Sequence, residues 1–386
     1  MNTPRELRQA ERHLETSSLF RFVGYFLWLG TVGFGGPIAL AGHMQQDLVD
    51  KRSWVSKEDY VEGLALAQLA PGPLAAQLAI YLGYVRAGIL GATAVGIAFV
   101  LPSFLMVVGL SVAYVRFGGL PWMQGMFYGI GAAVIGIIAR SAFKLTKLTL
   151  GKDRLLWGIF SALAISTAWT SREIIWLFLL GGVVAVLVKT PLAEIPAKNT
   201  VSLLFPLGAG AIHNRLVGIF LYFAKAGMFV FGSGLAVVPF LYGGVVQGHH
   251  WLTDQQFVDA VAVAMITPGP VVITVAFIGY LVNGVAGASA AALGIFLPVY
   301  LVVILLAPSY KRWAKNPQLN AFVRGVTAAA SGAIAGAVVV LARRSVYDLP
   351  TALICVLSLA ILFRWKVPEP ILIACAAGAG LLLHHA

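Results

Sequence analysis

The sequence predicts an all-α polytopic membrane protein made of two homologous halves, each with about six helical segments and each containing broken helices. Three observations carry this. Hydrophobic residues make up 59% of the 386 positions and charged residues only 11%, with a mean hydropathy of +0.88, and apolar runs recur from Phe20 to the end of the chain. The sequence repeats itself at an offset of 197 residues, slipping to 196 in the later part. Proline and glycine interrupt apolar segments at equivalent places in both copies.

In chain order, residues 1–19 are polar (Arg5, Glu6, Arg8, Glu11, Arg12, Glu15) and lack the apolar core and cleavage site of a signal peptide, so they read as a retained cytoplasmic tail. The first half covers 20–189, with apolar segments near 20–42, 60–85, 88–115, 122–143, 155–168 and 172–189. A linker, 190–215, holds a further short apolar run, SLLFPLGAGAI. The second half covers 216–386, with segments near 216–242, 257–282, 284–308, 321–342, 349–363 and 369–384. The repeat aligns Phe34-Gly35 with Phe231-Gly232, Trp54 with Trp251, Pro71-Gly72-Pro73 with Pro268-Gly269-Pro270, Leu101-Pro102 with Leu297-Pro298 and Tyr114 with Tyr310.

The distribution of Lys and Arg favours halves of opposite orientation. With a cytoplasmic N-terminus, the first half concentrates cations on one side (Arg21, Arg86, Lys144, Lys147, Lys152, Arg154) against Lys51, Arg52, Lys57, Arg116 and Arg172 on the other. In the second half the same loops reverse this bias. Inversion needs one extra crossing, for which the linker run is barely long enough, so the crossing number is left open. The net charge of +12 is therefore topological and does not indicate nucleic acid. Arg140, Lys144 and Lys147 share a helical face suited to anionic lipid. Cys355 and Cys375 lie in apolar stretches without further ligands, which gives neither a disulfide framework nor a metal site.

Ser56 and Thr253 read as N-caps, so helices start at 57 and 254. The thirteen residues 57–69 make about 20 Å of helix, too short for a core of about 30 Å. Proline lacks an N–H and disfavours helix in the residue before it, which makes each Pro-Gly-Pro a break between two half-helices. The helix after the break begins with unpaired N–H groups, at Leu74–Ala76 and at Val271–Ile273, and such an end attracts anions. A second break at Gly33-Phe34-Gly35-Gly36-Pro37 recurs less faithfully as Val230-Phe231-Gly232-Ser233-Gly234. Discontinuous helices at equivalent places in two repeats are the usual pointer to a transporter's substrate site, and the four breaks are candidates to converge near the midplane.

The stretches FGGPIALAGH (34–43), KRSWVSKEDYVEGLALAQLAPGP (51–73), FGSGLAVVPFLYG (231–243) and WLTDQQFVDAVAVAMITPGPVVITVAFIGY (251–280) resemble the chromate ion transporter family in its two-domain form. The resemblance runs from Phe20 to the C-terminus. It implies a secondary transporter of the inner membrane that exports chromate, uses the proton-motive force and has oppositely oriented halves. Many members have histidine where Leu40 stands here, and Leu-Pro-Gly-Pro where this chain has Ala70-Pro71; the nearest histidine is His43.

Chromate is a tetrahedral dianion, so its site requires donors and positive potential and no nucleophile. The candidate substrate residues are Gly35, Gly36, Pro37, Gln68, Pro71, Gly72, Pro73, Gln77, Gly232, Ser233, Gly234, Pro268, Gly269, Pro270, Lys225 and Arg86. Lys225 reads either as a substrate contact or as half of an ion pair, and Arg86 either as a site residue or as a topology anchor. Glu62 and Asp259 are equivalent acids and the candidates for proton coupling; facing headgroups they would only complement a helix dipole. No metal motif, paired catalytic acids or nucleophile motif supports an enzyme, and no cofactor is implied. Sulfate or another small anion, through an exporter or a channel, is the alternative substrate. The sequence permits a homo-oligomer and does not require one.

Overall fold

A computed structural model describes residues 18–118, 120–170, 175–190, 214–228, 237–309, 316–365 and 367–383. Among these residues the structure is helical, with no strand. The expected N-terminal tail, nearly all of the linker, the Val230–Gly234 break, and Arg172, Tyr310, Arg312 and Lys366 lie outside the described residues.

The first half opens with α1 (Leu19–Val32) and α2 (Gly36–Met44), the latter running on as a wider π-helical turn to Lys51. These two lie antiparallel: the Tyr25 hydroxyl donates to the His43 carbonyl and to Asp47, both at 3.3 Å. Then come α3 (Lys57–Leu69) and α4 (Leu74–Phe117). Segment 60–85 reads from sequence as one broken membrane segment, but the structure makes it a re-entrant hairpin. A Cβ on Gly63 would collide with the Tyr81 ring. In a continuous helix those residues would be about 27 Å apart, so the chain turns back at Pro-Gly-Pro.

Within α4, Ala87 (φ −151°, ψ 35°) and Gly88 (φ 57°) leave helical geometry and form a sharp corner. The two arms meet at Gly83 and Gly91, where a Cβ on either would strike the other's carbonyl. The second half repeats this corner at Asn283 and Gly284 (φ 58°) in α11 (Thr274–Leu306). The repeat's other elements are α8 (Arg215–Gly227), α9 (Val237–Tyr242) with its own π-helical extension to Gly248, and α10 (Asp254–Ile266).

The second arm of α4, residues 89–117, is about 44 Å long and crosses the membrane. It begins beside the mouth of the first half's hairpins, and near its far end Tyr114 donates to Asp259 of α10 at 2.8 Å. The hairpins of the two halves therefore enter from opposite faces, the inversion the charge count favours. One part of that count changes: the re-entrant hairpins bring Lys51, Arg52 and Lys57 to the same face as Arg21 and Arg86, which strengthens the asymmetry.

Beyond these arms, α5 (Pro121–Leu150) and α12 (Pro317–Ser345) are long enough to cross. The last helices of each half are exchanged. The pair α6 (Arg154–Thr170) and α7 (Ile175–Lys189) packs on α12, while α13 (Leu349–Arg364) and α14 (Glu369–Leu383) pack on α5. Glycine permits the approach: a Cβ on Gly332 would meet the Phe160 carbonyl, and one on Gly129 the Ala376 carbonyl. The repeats are interlaced, so neither buries its own apolar faces alone.

Candidate functional site

Each break is shaped by its caps. Ser56 accepts from the Asp59 N–H at 3.0 Å and starts α3, and Thr253 with Gln256 forms a full capping box at the start of α10. At the far end Ala70 is extended (φ −79°, ψ 145°), Gly72 takes φ 140°, and α4 begins after Pro73. In the second half Thr267 is extended, Gly269 takes φ 96°, and a single 3-10 turn, Val271–Ile273, precedes α11. The first break likewise uses glycine, with Gly35 at φ 105° and Gly36 at φ 75°, and Pro37 opens α2.

The hairpin tips meet at the centre of the molecule. The Gly269 N–H donates to the Gly33 carbonyl at 2.7 Å, joining the Pro-Gly-Pro tip of one half to the first break of the other. Gly269 also lies against Ser103 of α4, whose hydroxyl reaches the Gly30 carbonyl at 3.3 Å, while Gly72 lies against Val299 of α11. Ser103 and Val299 are equivalent positions, each just after a Leu-Pro pair, so each tip rests on the crossing arm of the opposite half. Ala70, Gly72 to Ala76 and Thr267 to Pro270 are buried. The first-turn N–H groups of α4 thus face the protein interior at membrane depth, where bare backbone is tolerated only against protein or a polar cavity.

Two buried polar side chains stand out in the hairpins, one at a tip and one in the second turn of α10. Gln77 is fully buried; its Nε2 donates to the Pro71 carbonyl at 2.7 Å, and its Oε1 has no partner. Asp259, 2% exposed, accepts from Tyr114 on one oxygen and from Gln255 on the other, both at 2.8 Å. No cation pairs with it among the described residues.

The family model described as "Chromate transporter" matches this chain twice, over residues 20–186 and 217–381. The chain belongs to the chromate transporter family. It is 59% identical over 382 residues to the chromate transport protein of Cupriavidus metallidurans, covering 96% of this chain and 95% of that one. It is 55% identical to a probable chromate transport protein of Synechococcus elongatus (95% of each chain), and 32% identical to the chromate transport protein of Pseudomonas aeruginosa (88% and 86%). No solved structure matches it.

Within this chromate transporter family chain, the remaining predicted residues are spread along the hairpins. Gln68 is exposed on α3 and does not join Gln77 at the buried tip. Lys225 lies in the last turn of α8, partly buried, and takes part in no ion pair among the described residues. Glu62 sits partly buried in the second turn of α3. Arg86 lines a cavity of about 160 Å³ at the hairpin mouth with Ser56 and Asp59, about 20 Å along the helix from Pro73. Gly232, Ser233 and Gly234 lie outside the described residues.

Sequence reasoning missed an aromatic box at each mouth. In the first half Arg52 stacks over Trp54 (4.7 Å) and Tyr25 (5.3 Å), beside Arg21 and Trp28 in a cavity of about 460 Å³. In the second half His249 occupies the equivalent place, stacked on Trp251 at 4.6 Å with Tyr222 edge-on at 5.3 Å. Burial holds the His249 imidazole below its ordinary pKa. The repeat itself carries the signal for this box, since Tyr25, Arg52 and Trp54 fall on Tyr222, His249 and Trp251.

Proposed function

We propose that this chain exports chromate across the cytoplasmic membrane, driven by the proton-motive force, with the N-terminus in the cytoplasm. The observation that carries the reading is the meeting of inverted hairpin tips, Gly269 on Gly33, between the two crossing arms. Half-helix starts pointing at a shared centre from opposite faces suit an anion that must be released to either side. Relatives named as chromate transport proteins supply the substrate. The gathering of Arg21, Arg52 and Arg86 at the first half's mouth supports the cytoplasmic assignment of that face.

In this reading the anion is held by the backbone N–H groups of Leu74–Ala76 with Gly35, Gly36 and Gln77, and by the equivalent second-half tip around Pro268–Pro270. Lys225 and Gln68 line its approach, Arg86 concentrates anions at the mouth, and Asp259 with Glu62 couples proton movement. Radiolabelled chromate uptake into everted vesicles energised by respiration tests it. Accumulation that an uncoupler abolishes is expected. Chromate that only equilibrates would make the protein a passive channel, and no movement from folded protein would overturn the substrate.

A further inference from the structure

The structure leaves one buried side-chain polar atom without a partner among the described residues: Oε1 of Gln77. Buried polar atoms are nearly always satisfied, so a lone exception calls for a physical reason. Its orientation is decided by its neighbour. The Pro71 carbonyl can only accept, so the amide must turn Nε2 toward it, at 2.7 Å, and Oε1 is left as an unmet acceptor. The amide lies against Gly72, over the first turn of the helix that follows the break. The equivalent residue in the second half, Thr274, is satisfied by donating to the Val271 carbonyl at 2.8 Å. The unmet acceptor therefore belongs to one tip.

A fully deprotonated oxyanion offers only acceptors, and would confront Oε1 with a second negative oxygen. An oxyanion that keeps one proton offers three acceptor oxygens to the N–H groups of Leu74–Ala76 and one O–H donor to Oε1. We infer that Gln77 is a specificity-determining residue, and that the first-half tip takes its tetrahedral oxyanion in the singly protonated form. This rests on the reading of the tips as the substrate site and adds a means of selection to it. Chromate and selenate have nearly the same size and shape, but chromate is much the stronger base and keeps a proton in substantial amount near neutral pH. Selenate and sulfate do not. Discrimination would thus follow basicity, which a site built on size alone cannot read. The groups described around Gln77 (Pro71, Gly72 and Val299) bring no titratable side chain.

The test is labelled-chromate exchange in de-energised vesicles of one pH inside and out, with unlabelled chromate, selenate or sulfate as competitor, so that no coupling is required. Selenate and sulfate are expected to compete about tenfold or more less well than chromate, the worth of one hydrogen bond to a buried group. In Gln77→Met, which keeps the volume and removes the acceptor, chromate is expected to bind about tenfold more weakly while selenate and sulfate compete as before, so the gap shrinks about tenfold. Selenate competing as well as chromate against the wild-type protein would overturn the inference and leave the transport reading standing; this arm needs no variant to fold. An unchanged gap in Gln77→Met would overturn it equally. Absence of any chromate exchange by the wild-type protein would bring down the underlying reading and this inference together.

Discussion

The two Pro-Gly-Pro hairpins descend from one sequence, and they differ where chemistry would be done. In the first, α4 follows the break directly, Gln77 keeps an unmet acceptor, and Glu62 is only partly buried. In the second, a 3-10 turn intervenes, Thr274 satisfies itself on Val271, and Asp259 is sealed between Tyr114 and Gln255. The backbone device, a capped half-helix turned back by Pro-Gly-Pro, has been kept in duplicate. The side chains have diverged: one hairpin retains unfilled hydrogen-bonding capacity at its tip, while the other holds a buried carboxylate with two neutral donors in the second turn of its first helix. A protein with two such hairpins can assign ligand recognition to one and proton exchange to the other.

The largest expected effect comes from removing the device itself. Replacing Pro71-Gly72-Pro73 or Pro268-Gly269-Pro270 by alanines should let the helix run on and abolish chromate accumulation in energised vesicles. The single substitution Gly269→Ala should cost about 1–3 kcal/mol of stability, because it forces a side chain to φ 96° and against Ser103. Gly72→Ala carries the same kind of backbone strain, at φ 140°, but its steric part should cost less, since the atoms it meets belong to the Gln77 amide and a Val299 methyl group, which can shift. Adding Ser103→Ala to Gly269→Ala should recover part of the loss, a coupling that thermal unfolding in detergent would register.

The acids come next. Asp259→Asn should lower uncoupler-sensitive accumulation about tenfold or more while passive exchange persists, and Glu62→Gln should lower it less, because that acid is partly exposed. Tyr114→Phe removes one donor from a buried carboxylate and should reduce stability by about 1–3 kcal/mol, whatever its effect on transport. Equal effects of Glu62→Gln and Asp259→Asn on accumulation would erase the difference drawn between the hairpins.

What could be read from the sequence and what could not divide along the range of the interactions. The helix starts at Lys57 and Asp254 were legible because a cap and its partner lie three residues apart. The corners at Gly88 and Gly284 were legible as gaps between apolar runs. That the chain turns back at Pro71–Pro73 was not, because hydropathy marks a break without saying whether the chain continues or returns; the contact of Gly63 with Tyr81 decides it. The exchange of α6 and α7 for α13 and α14 between halves was hidden for the same reason. Tyr114 was aligned with Tyr310 by the repeat, but its bond to Asp259 spans 145 residues and no periodicity reports it.

The smallest effect is expected at the mouths, where Arg52 and His249 stand at equivalent places beside a tyrosine and a tryptophan that both halves share. Arg52 brings a guanidinium over Trp54, whereas burial lowers the pKa of the His249 imidazole, which disfavours its charged form. His249→Arg would give both mouths a permanent cation stacked on tryptophan. A cation at a mouth raises the local anion concentration without touching the tips, so it should change the chromate concentration giving half-maximal rate more than the maximal rate. The change should be no more than about threefold and should fade as ionic strength rises. Measured on the face where His249 lies, a salt-insensitive change, or one confined to the maximal rate, would mean that the box acts on hairpin packing and has no part in attracting the anion.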